Sequence, residues 1–200
     1  MSQPSPQPNG VDWNLLIQYS GVAGSLLGWT AVVAAVVSSA QFSWTQNAIS
    51  DLGATTEAEP WLLNAGLLFG GLLVTPFGLW LWQRADRSIQ QLGAVTFCLT
   101  GLSLAAIGAF PIGTPVHLPV SVNFHTIGTI SLLLYGSGSI TASYVRRGLV
   151  SLWFVLVHLL SWLVWSAGLR VGPGLAIPEL VGTVLFTGWI WMQSSTSHSR

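Results

Sequence analysis

Charge is what this chain has least of. Only 6% of its 200 residues are charged, against roughly 25% in an ordinary soluble domain. All six cations are Arg, and the formal net charge is +0. With no basic run, the chain lacks the electrostatic footprint that holds nucleic acid. Cysteine is almost missing as well. Cys98 stands alone in an apolar segment, so no internal disulfide can form and the redox compartment is not readable from it. There is no HExxH, CxxC or paired-His motif, so no metal is expected. The glycines make no phosphate loop, because no Lys follows and no strand precedes them. The Ser hydroxyls make no nucleophile elbow, and no cofactor is implied. Met1 to Gly10 has no positive charge and so lacks the basic start of a secretory signal peptide. A short disordered tail is expected there.

Hydrophobic residues are plentiful, at 51%. They form runs of about 20, long enough to cross a hydrocarbon core of roughly 30 Å. Six such runs stand out: Tyr19–Ala40, Trp61–Trp82, Ile89–Phe110, Val122–Tyr144, Leu149–Leu169 and Leu175–Met192. Each must be helical, since backbone groups in lipid are satisfied only within the segment. The sequence thus predicts an all-α, polytopic membrane protein, a bundle of six transmembrane helices. Residues 1–18 form a tail and an interfacial lead-in from Asp12 to Gln18, residues 19–192 the transmembrane domain, and residues 193–200 a second short tail.

In this scheme Arg84, Arg87, Arg146, Arg147 and Arg200 fall on one side and only Arg170 on the other. The positive-inside rule then places both termini in the cytoplasm, with the chain multi-pass in the cell membrane. Trp44, Trp61, Trp162 and Trp165 lie near the outer interface, and Trp80, Trp82, Trp153, Trp189 and Trp191 near the inner one, as aromatic belts do. The long connections, Gln41–Pro60 and Pro111–Ser121, are both outside. Gln83–Ser88 and Val145–Gly148 are tight inner turns. Function concentrates on loops carried by a rigid scaffold, so the outer face is the expected working end. In the fourth run, Gly128, Ser131, Gly136, Gly138 and Ser139 allow close helix contact. In the second, Asn64, Gly71, Thr75 and Gly78 share one inward face.

Polar residues converge on the outer side. They are Asn47, Ser50 and Asp51 in the first loop, Asn64 atop the second helix, His117 in the second loop, and His125 atop the fourth helix. A carboxylate with an imidazole suits general acid–base work, and Asp51 with His125 is the candidate catalytic pair. Asn47, Ser50, Asn64, His117 and Arg170 are candidate ligand-binding residues. The alternative is that Asp51 and Ser50 close a turn or cap a short helix, with His125 as partner. The residues favour this fastening role. His158 sits midway along the fifth run, where an ionisable group suggests a proton relay. A neutral imidazole bonded to a helix-four hydroxyl or to Ser161 is the duller reading, and the favoured one. Arg170 and Glu179 flank the last outer turn, where a surface ion pair is the default.

Ile49-Ser50-Asp51-Leu52-Gly53, then Pro60-Trp61, Asn64-Ala65-Gly66-Leu67, Gly108-Ala109-Phe110-Pro111 and His125 together resemble domain-of-unknown-function family 998. The resemblance covers about Gly21 to Met192, and implies a six-span prokaryotic membrane protein without an assigned activity. That family often places an acidic residue shortly after the Phe-Pro, where this chain has Ile112 and Gly113. The Ile-Ser-Asp turn is also distantly similar to that of the damage-regulated autophagy modulator family. Some relatives of that family remodel lipid anchors, which implies a lipid-facing role but no mechanism.

Three functions are carried forward. The first is binding of a lipid or small amphiphile in an outer-facing polar cavity, with membrane lipids as partners. The second is an enzyme acting on a lipid headgroup through Asp51 and His125. The third is a proton-coupled carrier using His158. Neither substrate nor oligomeric state is legible.

Overall fold

The computed structural model describes residues 12–195. Six helices form: α1 (Trp13–Ser38), α2 (Pro60–Gln83), α3 (Ser88–Ala109), α4 (His117–Thr141), α5 (Val145–Ser166) and α6 (Ala176–Ser194), with a 3₁₀ turn at Ile49–Gly53 between α1 and α2. Among the described residues there is no strand. Five helices, α1 to α5, are long and apolar enough to cross a membrane. In α6, Pro178, Glu179 and Gln193 dilute the apolar run. Of the expected tails, residues 1–11 and 196–200, Arg200 included, lie outside the described residues, while α6 takes in residues 193 and 194 of the tail expected at 193–200.

Boundaries moved where local chemistry set them. Asp12 Oδ1 accepts from the N–H groups of Asn14 and Leu15 at 3.0 and 3.3 Å, so α1 starts at Trp13, before the apolar run begins. The expected second loop is shorter than Pro111–Ser121, because α4 starts at His117. Pro119 falls in its first turn, where a missing N–H costs nothing. The turn expected at Val145–Gly148 lies earlier, since α5 starts at Val145. Ser143, at φ 69°, is what reverses the chain.

Helices adjacent in sequence pack side by side, and α6 closes against both α5 and α1. Gln18 at the start of α1 donates to Ser194 O at the end of α6, which fixes their antiparallel sense. Small residues let backbones touch. A Cβ at Gly24 of α1 would stand 2.6 Å from Gly70 O of α2, and one at Gly93 of α3 would stand 2.7 Å from Tyr135 N of α4. The expected small face of α2 meets α3, with Gly71 against the Gly101–Ala105 backbone and Gly78 against Cys98.

Two apolar clusters result. Phe77, Phe97, Leu132, Val155, Phe186 and Trp189 fill the interior toward the tight-turn end. Val32, Ala35, Leu63 and Ala176 receive Ile49 and Leu52 from the 3₁₀ turn at the loop end. Large apolar side chains such as Val37, Leu159 and Leu163 stay exposed on the outside, as a lipid-facing surface requires. Two of the Trp residues assigned to an inner belt are instead core. Trp80 and Trp189 are buried, and Trp189 Nε1 donates to Ser151 Oγ of α5 at 2.8 Å. A buried indole needs such an acceptor.

Candidate functional site

The Asn47–Gly53 turn is bonded mainly to itself and to its neighbours. Asp51 Oδ2 accepts from Ala48 N at 2.8 Å and from Asn47 Nδ2 at 3.3 Å, closing a capping arrangement on the 3₁₀ turn. Asn47 Oδ1 accepts from Ser43 N at 2.9 Å. Asn64 Nδ2 reaches from α2 to Gly53 O at 2.9 Å and pins the end of the turn.

The turn is also tied to α6. Thr45 O accepts from Gly174 N and Asn47 O from Ala176 N, both at 2.9 Å. Ile49 N donates to Glu179 Oε2 at 2.6 Å. Glu179 is therefore not in the surface pair expected with Arg170. It reaches inward to the loop backbone, while the Arg170 guanidinium lies 4.9 Å from the centre of the Trp165 ring. Turning Glu179 inward satisfies a backbone donor that the packed loop would otherwise leave bare.

His117 does not reach the other candidates either. As the first residue of α4, it places Nδ1 2.9 Å from Phe110 O and Nε2 3.3 Å from Ser121 Oγ, stapling the short α3–α4 loop.

A second polar centre lies deeper, between α4, α5 and α6. His125 Nδ1 is 3.3 Å from His158 Nε2, Trp162 Nε1 donates to the same His158 Nε2 at 3.0 Å, and Thr129 Oγ1 is 2.7 Å from His158 Nδ1. Thr129 is the helix-four hydroxyl anticipated for His158. Ser161 Oγ bonds instead to His158 O.

These contacts assign the protons. An indole N–H can only donate, so His158 Nε2 is a lone pair and the neutral ring carries its proton on Nδ1. That proton goes to Thr129 Oγ1, whose own proton goes to His125 O at 2.7 Å. His125 must then donate from Nδ1, and its Nε2 keeps a lone pair with no protein donor among the described residues. Gly182 of α6 makes the arrangement possible, because a Cβ there would stand 2.9 Å from His158 Nε2 and 3.4 Å from His125 Cε1. The two imidazoles have no third His, Cys, Asp or Glu in ligating reach among the described residues.

Glu179 and His125 line one cavity of about 120 Å³. Ser50 and Ser121 join them at the loop end, and Val74, Phe97 and Ile190 line the deep end. Along α6 it runs from Glu179 to Ile190, about 16 Å at the helical rise. Asp51, Asn47 and Asn64 do not line it, and the structure gives Asp51 and His125 no shared hydrogen bond. Sequence reading missed the imidazole pair and the inward Glu179. The available signal was spacing: Glu179, Gly182 and Thr183 share a face of α6, as His125 and Thr129 do on α4.

Apolar helices that expose aliphatic side chains and enclose a mainly apolar cavity define an integral membrane protein. Within that class, a family model described as "Protein of unknown function (DUF998)" matches residues 22–195, and the chain belongs to that family. No curated protein and no solved structure matches it.

Proposed function

We propose that this is a six-span protein of the cell membrane, with both termini cytoplasmic, that binds a small single-chain amphiphile in its interior cavity. The cavity is the observation that carries this reading. It is long, narrow and apolar at depth, with carboxyl, imidazole and hydroxyl groups gathered at the loop end. A ligand pocket of this kind is mostly apolar with a few polar groups that fix orientation. Its 120 Å³ is close to the roughly 150 Å³ of a cavity that admits one aromatic ring. That size suits a small head group and part of one slender chain rather than a whole phospholipid. α6 is the sixth span in this reading, its Glu179 sheltered by the first loop. The close packing of Leu132, Val155 and Trp189 on the deep side of His158 weighs against a proton-coupled carrier.

Gly28 provides the test. It lines the cavity, and a Cβ there meets no atom within 4 Å. Gly28→Leu should fill the space and abolish uptake of a fluorescent single-chain amphiphile, while thermal unfolding in detergent stays level or rises, since Leu favours helix over Gly by about 1 kcal/mol. Full uptake by a folded Gly28→Leu protein would refute the cavity as the binding site. Reporter fusions should place both ends in the cytoplasm.

A further inference from the structure

We propose that the cavity's amphiphile carries a primary ammonium group, held between the Glu179 carboxyl and His125 Nε2; this rests on the cavity being the binding site. The polar end of the cavity is rich in acceptors. His125 Nε2 offers a lone pair, because the Trp162 and Thr129 contacts make His158 Nε2 an acceptor and the His125 Nδ1 that faces it at 3.3 Å carries the ring's proton. Glu179 uses Oε2 for Ile49 N, with Ser50 N as a further backbone donor, and as a carboxylate it retains acceptor capacity toward the cavity. Among the described residues no Arg or His stands within ion-pair reach of it. A carboxyl group largely withdrawn from water without a cation partner is costly, and an incoming cation would be that partner.

Position supports a single headgroup meeting both groups. Glu179 precedes Gly182 by one helical turn on the same face of α6, and Gly182 lies directly against both imidazoles. A primary ammonium has three N–H donors, so it can address Glu179, His125 Nε2 and a hydroxyl such as Ser121 at once. Trp29, Phe124 and Phe186 add aromatic walls that favour a cation over an anion. A sulfate or carboxylate head would face the Glu179 carboxylate and the His125 lone pair, with only hydroxyl donors such as Ser121 to offset them. An alcohol can donate once.

The test uses the full-length protein in nanodiscs of zwitterionic lipid, titrated calorimetrically with dodecylammonium, dodecanol and dodecyl sulfate. Gly28→Leu protein is the blank for partition into lipid. Dodecylammonium should bind about tenfold or more tighter than dodecanol, the difference between a charge-assisted and a neutral hydrogen bond, and dodecyl sulfate should not bind above the blank. Glu179→Gln keeps an oxygen for Ile49 N, so its unfolding temperature should hold while the ammonium preference collapses to within about twofold of dodecanol. His125→Phe, which keeps a ring in place, should weaken dodecylammonium alone. Equal binding of ammonium and alcohol, or an unchanged preference in a folded Glu179→Gln protein, overturns the headgroup assignment and leaves the cavity reading standing. No probe binding above the blank overturns both.

Discussion

Two of the carboxylates at the loop end of this protein, Asp51 and Glu179, do opposite things. Asp51 sits in the conspicuous Ile-Ser-Asp-Leu-Gly turn, yet its oxygen is occupied by Ala48 and Asn47 within the same turn. Glu179 sits at the start of a helix, yet it reaches a residue 130 positions away and lines the cavity. Asp51 fastens the conspicuous turn from within, and the inconspicuous helix supplies a wall of the proposed binding site. A motif that stands out in sequence can mark the place where a loop must be held, while the working groups stand behind it.

The sharpest way to break this contrast is to undock the turn from α6. A Cβ at Gly174 would stand 2.6 Å from Asn47 N. Gly174→Val should therefore cost about 3 kcal/mol or more, as overpacking against backbone does. Thermal unfolding in detergent would read that cost, and amphiphile uptake should be lost with it. Retained stability would mean that the loop holds without α6. A smaller effect is expected at the imidazole centre. Thr129→Val removes the acceptor of the His158 Nδ1 proton and should cost about 1–3 kcal/mol. Nitrogen-15 spectra of labelled His should show His158 still protonated on Nδ1, held so by the Trp162 indole, with its Nδ1 signal shifted by loss of the Thr129 acceptor; a His158 protonated on Nε2 would contradict the proton assignment. The smallest effect belongs to the turn's own acid. Asp51→Ala should cost about 1–2 kcal/mol, as loss of a cap does, with amphiphile affinity unchanged. Lost affinity at full stability would restore Asp51 as a ligand-binding or catalytic residue.

The helices were legible because lipid leaves the backbone few options, and apolar runs of bilayer length mark where it must coil. Helix ends were less so, since they depend on single residues: Asp12 as a cap, Pro119 tolerated in a first turn, Ser143 turning the chain at positive φ. That His158 meets a hydroxyl of the fourth helix could be reached from helix order alone, though not that the hydroxyl is Thr129. The His125–His158 contact could not, because it requires the α4–α5 seam to be known at the resolution of one side chain. Glu179 was misread for a related reason. Beside Arg170 in sequence it suggested a surface pair, and only tertiary packing turns one side chain onto Trp165 and the other inward.

The ties from Thr45, Asn47 and Ile49 to Gly174, Ala176 and Glu179 join the α1–α2 connection to α6. During synthesis α6 emerges after α1 to α5, so the first loop must wait, its carbonyls unmet, until α6 is made. The cavity mouth is then finished only after those five helices are in place. A chain cut short after α5 would carry most of its core and none of its lock, exposing a hanging loop by which a quality-control protease could tell the incomplete protein from the whole.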